Sequence, residues 1–352
     1  MTLDAPDLPG PITAALERRR RWLVTGAAGF IGSHLVETLL LHDQDVVGLD
    51  DFSAGTRVNL DDVAARVGGG RWRRFDLHQG DVRSAEACRR AMEDVEVVLH
   101  QAALGSGPRS LERPLETHAV NVLGTVQLLE AARRAAGPRF VYASSSSVYG
   151  DDPALPKVEE RRGPPLSPWA ASKVAGELAA GVYTRAFGLE TVGLRYFNVY
   201  GPRQPPDGPY AAVVPRWIEA LLEGHPVVVY GDGETSLDFC FVADAVVANL
   251  LAALGDREGL AGSVVNVAGG ERASLNRLFE LLRERISRVR PAAAGHEPVH
   301  EPFRSGEVKH SEADLTRAGR RLGYRPRYGL RRGLDETVAW FQARPGRHPG
   351  EV

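Results

Sequence analysis

The sequence predicts a doubly wound α/β fold: a mainly parallel, seven-stranded sheet with helices on both faces, followed by a smaller α/β domain. Three observations predict it. Short apolar runs alternate with stretches of helical spacing up to about residue 200. Three glycines stand where the first apolar run gives way to a helix, and the second run ends on an acid. Near-continuous apolar strands are buried on both faces, so helices must cover both sides of the sheet.

Taken in order, RWLVTG (21–26), DVVGLD (45–50), VEVVLHQAA (95–103), RFVYASSS (139–146) and LETVGLRYF (189–197) read as strands. Residues 29–42, 84–93, 115–136 and 168–187 carry the helical spacing between them. In LSPWAASK (166–173), Ser167 suits an N-cap and Pro168 the first helical position. Trp169 and Lys173 then share one helix face. Residues 1–20 read as an N-terminal surface extension. Its RRRR before an apolar run imitates a secretory leader, but Thr25, the glycines, His34 and Glu37 interrupt that run. After YGPRQPPDGPY, a Pro/Gly-rich loop, short helices and strands follow to the end. The expected division is a dinucleotide-binding domain over 21–200, completed by parts of 235–270, and a mainly substrate-binding domain over 201–345.

Composition excludes several classes. The chain has 352 residues, 43% of them hydrophobic, and a net charge of −2. That gives core enough for such a fold and no electrostatic case for nucleic acid or a membrane surface. No window reaches the ~18 uninterrupted apolar residues of a spanning helix. Two cysteines, Cys88 and Cys240, suit a reducing, cytoplasmic setting and form no zinc pattern. His296, His300 and His310 lack metal-ligand spacing, so no metal is expected. His100, ending an apolar strand, reads as a packed residue.

The glycines Gly26, Gly29 and Gly32 of TGAAGFIGSH, with Phe30 and Ile31 opening the helix, carry the first functional signal. Glycine lets backbone N–H groups approach a pyrophosphate, and the helix N-terminus stabilises its charge. Asp50 ends the next strand, where a carboxylate accepts hydrogen bonds from an adenosine ribose and repels a 2′-phosphate. The cofactor implied is NAD rather than NADP.

With these motifs, GDVR (80–83), HQAA (100–103), ASSSSVYG (143–150), SPWAASK and RYFNVYGPR (195–203) follow in the order of the extended short-chain dehydrogenase/reductases, which have a Rossmann fold. The chain most resembles the bacterial UDP-N-acetylglucosamine 4-epimerases, through VLHQAALGSGPRS, SSSSVYGDDPALPKVEE, YAAVVPRW, GDGETS and SLNRLF. The resemblance runs from about residue 20 to 340. It implies an NAD-dependent UDP-hexose 4-epimerase, UDP-hexose as substrate, and a homodimer paired through helices 115–136 and 168–187. It assigns Asp81 and Val82 to the adenine, and Ala102, Ala103 and Asn121 to the cofactor cleft. Ser145, beside Ser146, resembles the serine that holds the sugar O4, and Lys173 the lysine on the nicotinamide ribose. For the substrate it implies Ser106, Asn198 at the diphosphate, Tyr230 at the uracil and Arg304 at a phosphate. Ser311 stands where a small residue leaves room for an N-acetyl group.

Two positions depart from that pattern. Trp169 stands where the family has its catalytic tyrosine, and an indole N–H donates but has no accessible conjugate base. Leu237 stands where an arginine reaches the diphosphate. The residues leave several readings open: a rerouted base (Ser145 to Ser147, Tyr149, Tyr196 or a water relay), drift to related sugar-nucleotide chemistry, a catalytically weak NAD-binding protein, or a change introduced at position 169. The acids that 4,6-dehydratases and UDP-glucuronate decarboxylases place at Ser146 and Ser147 are absent, so the site most resembles an epimerase's.

Overall fold

The computed structural model describes residues 6–207, 211–255, 259–302 and 309–344. Its strands, in chain order, are β1 (Arg21–Thr25), β2 (Asp45–Asp50), β3 (Phe75–Gln79), β4 (Val97–His100), β5 (Arg139–Ser145), β6 (Thr191–Tyr196), β7 (Val199–Tyr200), β8 (Val228–Tyr230), β9 (Ser236–Asp238), β10 (Cys240–Phe241), β11 (Ser263–Val267), β12 (Arg272–Ser274) and β13 (Val299–Glu301). Its α-helices are α1 (Gly10–Leu16), α2 (Phe30–Leu41), α3 (Arg57–Trp72), α4 (Ala85–Ala91), α5 (Gly107–Glu112), α6 (Pro114–His118), α7 (Gly124–Arg134), α8 (Pro168–Phe187), α9 (Val213–Glu223), α10 (Val242–Leu254), α11 (Leu275–Ile286), α12 (Thr316–Leu322) and α13 (Leu330–Ala343).

Seven strands form one parallel sheet in the order β11-β6-β5-β4-β1-β2-β3. The chain builds outward from β1 to β3, then returns to build the other way from β4. The crevice beyond the carboxyl ends of β1 and β4 is therefore the switch point where such sheets bind ligands. Adjacent residues of β1 enter opposite cores: Val24 packs with Leu35, Leu39 and Val246, and Leu23 with Val47, Leu128 and Phe140. A separate core, with Trp217, Ile218, Leu221, Leu278 and Phe341, holds the smaller lobe together.

Four features differ from the sequence reading or extend it. The segment 1–20 is not merely a surface extension: α1 buries Ile12 and Leu16 in the main core. Its RRRR is tied down locally, by Arg18 to Glu96, Arg19 to the Asp43 carbonyl, Arg20 to the Ala15 carbonyl and Arg21 to Asp76. The helix 115–136 is continuous but carries a π-turn over Ala119–Leu123 between α6 and α7. Strand β3 and helix α3 complete one edge. Among the described residues, no helix is long and apolar enough to cross a membrane.

The two lobes are latched behind the crevice. Buried Arg203 pairs with Glu37 at 2.7 Å and Asp62 at 2.6 Å, and His34 shares a hydrogen bond with the Pro202 carbonyl at 2.9 Å. Burial, then Arg203, pulls His34 down to about 3, so this histidine stays neutral.

Candidate active site

Two cavities meet at the switch point. The first, about 770 Å³, is lined by Gly26, Gly29, Phe30, Ile31, Gly32, Asp50, Val82, Ala102, Ala103, Ser145, Ser146, Trp169, Lys173 and Asn198. The second, about 470 Å³, runs into the smaller lobe past Ser106, Tyr230, Leu237 and Ser311. Gly107, Pro108, Ser146, Ser147, Asn198 and Val199 line both, so the two spaces join at the serine cluster.

The glycine loop is close-packed backbone. Gly26 has φ +66° and Ala102 N would lie 2.9 Å from any Cβ there; a Cβ on Gly32 would stand 1.9 Å from the Gly26 carbonyl oxygen. Only glycine lets β1 turn into α2 this tightly and leave N–H groups facing the crevice. Asp50 accepts from Ala28 N and Phe52 N, both at 2.8 Å. Burial raises its pKa, and the two amide bonds counter that. Each carboxylate oxygen keeps lone pairs for ribose hydroxyls. Asp50→Ala is expected to weaken NAD roughly tenfold or more, the scale of a charged hydrogen bond, while NADP changes far less. Calorimetric titration with both cofactors checks this, and equal losses would contradict the role of Asp50.

His100 supports the wall opposite. Thr125 Oγ1 donates to the Asn121 carbonyl at 2.6 Å, so it accepts from His100 Nε2–H at 2.9 Å. His100 Nδ1 then accepts from Thr25 Oγ1 at 2.7 Å, and Thr25 Oγ1 takes Ala102 N–H at 3.2 Å. Desolvation, with Lys173 nearby, holds this imidazole neutral with a pKa of about 3.

Two expected cofactor residues do not face the cleft. Asn121, in the π-turn, is buried; its amide accepts from Leu104 N and donates to the Leu104 carbonyl and Ser172 Oγ. It therefore braces the 101–107 loop from behind. The Asp81 carboxylate is turned to Arg83 and lies outside the lining that Val82 contributes to. Arg304 lies outside the described residues.

On α8, Ser167 caps the helix by accepting from Ala170 N, and Trp169 N donates to Ser110 Oγ at 3.0 Å. Lys173 Nζ donates to the Ala143 carbonyl at 2.9 Å and sits 4.8 Å from the Trp169 ring centroid. Desolvation lowers its pKa to about 8, against the pull of Glu177. Ser147 Oγ donates to Ser145 Oγ at 2.9 Å, and Asn198, with φ 34°, donates to the Asp238 carbonyl. Tyr149 and Tyr196 are both engaged. Tyr149 donates to Asn266 Oδ1 at 2.5 Å and burial pushes it up to about 12; Tyr196 lies between Asn249 and Gln101 and burial raises it further.

Sequence reasoning missed Arg216, Lys157 and Glu177. Arg216 and Lys157 line the second cavity, Arg216 with its guanidinium 6.0 Å from the Tyr230 ring centre and Lys157 donating to the Asp152 carbonyl. Glu177 was legible: it falls one turn beyond Lys173 on the same helix face. Its carboxylate takes Arg195 through two bonds, at 2.8 and 2.9 Å, and Ser144 Oγ at 2.6 Å. Among the described residues, no group of three His, Cys, Asp or Glu side chains is placed to hold a metal.

The model of the NAD dependent epimerase/dehydratase family matches residues 22–268. The chain belongs to that family. This family member is 40% identical to the UDP-glucose 4-epimerase of Mycolicibacterium smegmatis, over 92% of its own length and 98% of the relative's. It is 38% identical to a dTDP-glucose 4,6-dehydratase of Streptomyces griseus, over 91% and 93%. Among solved structures it superposes with TM-score 0.83 on the UDP-N-acetylglucosamine 4-epimerase of Methanobrevibacter ruminantium in complex with UDP-N-acetylmuramic acid. There the identity is 36% and the coverage 92% and 98%. The family's cofactor is NAD, and the residues present fit it: a cradle that a Cβ would fill, a helix N-terminus and Asp50.

Proposed function

We propose that the protein is an NAD-dependent UDP-hexose 4-epimerase of the UDP-GlcNAc/UDP-GalNAc type, acting through a transient 4-keto sugar. One observation carries this reading: the cofactor-sized and substrate-sized cavities join at Ser146, Ser147 and Asn198, with Ser145 and Lys173 in the wall of the first, and no carboxylate stands at Ser146 or Ser147 for a dehydration or decarboxylation. Bound NAD supplies the acceptor for the hydrogen leaving C4. Ser145 holds O4, Lys173 orients the cofactor ribose, and Asn198 meets the diphosphate where the cavities join. Tyr230 and Arg216 receive the nucleobase end. Ser311, 8% exposed on the second cavity's wall, leaves room for an N-acetyl group, and the Methanobrevibacter structure supports that preference. Trp169 favours a second reading, an NAD- and nucleotide-sugar-binding homologue with little turnover.

The exposed apolar residues Leu178, Val182 and Phe187 of α8, with Leu115 and Leu123, support a homodimer. Light scattering at micromolar concentration is expected to give twice the 38.1 kDa chain mass, and a monomer would remove this claim.

The function is tested by incubating purified protein with UDP-GlcNAc, UDP-glucose and UDP-glucuronate, with and without NAD, and following products by NMR. C4 interconversion, fastest with UDP-GlcNAc, supports the first reading. Bound NAD with no turnover of any of the three supports the second.

A further inference from the structure

The proton that leaves O4 needs an acceptor, and Trp169 offers none. The other titratable side chains lining the described cavities are committed elsewhere, with one exception. Asp50 and Asp51 lie at the glycine-loop end, Asp50 held by two backbone amides and Asp51 by Ser53. Tyr149, Tyr196 and Tyr200 are bonded elsewhere and pushed away from ionisation. Lys157 is held against Asp152. Tyr230 and Arg216 face each other in the second cavity, whose lining includes neither serine of β5. That leaves Lys173, which lines the first cavity with Ser144 and Ser145 and bonds the Ala143 carbonyl just before them on β5.

We propose that Lys173 itself accepts and returns the sugar hydroxyl proton, directly or through the Ser145 hydroxyl, with the Trp169 ring stabilising the ammonium so formed. This rests on the epimerase reading above. A neutral amine carries two N–H donors and one lone pair. One donor goes to the Ala143 carbonyl, which leaves the other donor and the lone pair for the cleft. As the O4–H bond breaks, its proton goes to the Nζ lone pair. C4 gives up its hydrogen with the bonding electrons to oxidised NAD, and the C4–O double bond forms. The lysinium gives the proton back when C4 is reduced from the other face. The indole face, 4.8 Å from Nζ, attracts the charged amine and not the neutral one. Trp169 thus acts on the lysine, not on the sugar.

The surroundings leave Lys173 free to titrate. Desolvation favours the neutral amine, and Glu177 opposes it. Arg195 on β6 neutralises most of that carboxylate. From β4, His100 is neutral. On the packed helices, Arg109 and Arg113 pair with Glu116, Arg133 and Arg134 with Glu130, and His118 is exposed.

The test follows two readouts on NAD-loaded protein carrying 13Cε-labelled lysine. One is the pH dependence of the Lys173 resonance, assigned by its loss in Lys173→Arg. The other is the pH dependence of kcat for C4 interconversion of UDP-GlcNAc. Both are expected to share a midpoint near 8, with kcat rising with pH to a plateau, because only the neutral amine accepts. Lys173→Arg, which keeps the charge but offers no base, is expected to lose at least ~100-fold in kcat, the lower end of a general base's contribution. It should also lose the inflection, while NAD affinity falls less than tenfold. In Trp169→Tyr, the kinetic inflection is expected to leave the lysine midpoint. Midpoints more than a unit apart, Lys173→Arg within tenfold of the native rate, or an unmoved inflection in Trp169→Tyr each overturn the lysine assignment alone. If Lys173→Arg does not fold, Trp169→Tyr decides. No interconversion by the native protein overturns the epimerase reading, and the lysine assignment with it.

Discussion

Trp169→Tyr is expected to raise C4 interconversion at neutral pH by roughly 100-fold, the lower end of what a positioned general base contributes. The substitution puts a phenol one helical turn from Lys173 Nζ, where the Trp169 ring now lies at 4.8 Å. A neighbouring lysinium lowers a phenol's pKa, so the tyrosinate becomes accessible. At pH 7 the native lysine, with its pKa near 8, is mostly protonated, and the native rate is correspondingly small. The new side chain is smaller and faces an open cavity, so NAD affinity should change little. Steady-state rates beside NAD titrations of both proteins check this. A Trp169→Tyr protein no faster than the native one would mean that residue 169 does not limit proton transfer.

Glu177→Ala should cost about 3–5 kcal/mol of stability, because it strands a buried charge. The Arg195 and Glu177 side chains are 3% and 7% exposed and joined by two bonds, at 2.8 and 2.9 Å. Without the carboxylate, Arg195 keeps the Glu159 carbonyl and the face of the Tyr149 ring, neither of which carries a full charge. Ser144 Oγ loses its acceptor directly below the serine cluster. The exposed pair Arg277–Glu280 is the control, and Glu280→Ala should cost no more than ~1 kcal/mol. Urea unfolding of the three proteins measures both. Equal midpoints would show that the buried pair contributes no more than a surface one.

The fold was legible wherever burial is two-sided. β1, β2, β4, β5 and β6 are near-continuous apolar runs, and Ser167-Pro168 marks the start of α8. β3 was not, because FDLHQ is an edge strand with half-exposed, polar residues. α3 was hidden by Gly68–Gly70, where Gly68 leaves helical geometry at φ 78°. The glycine loop and Asp50 announced a cofactor because the turn admits nothing larger. The side-chain partners of Asn121 and Asp81 do not follow from the resemblance that assigned both to the cofactor. A π-turn directs the Asn121 amide at Leu104, and Arg83, two residues along the chain, takes the Asp81 carboxylate. Spacing alone leaves Tyr149 and Tyr196 open as bases, whereas in the fold their phenols are bonded to Asn266, Asn249 and Gln101.

In the proposed reaction C4 is oxidised and re-reduced in place, with only the hydroxyl proton handled by side chains. It is tested most directly by running the reaction in D₂O with UDP-GlcNAc and examining C4 and C5 of the product by NMR. The expected product is the galacto epimer with hydrogen retained at C4 and no deuterium at C5, because the hydrogen leaving C4 never meets solvent and Ser146 and Ser147 offer no carboxylate to abstract at C5. Deuterium at either carbon would contradict it.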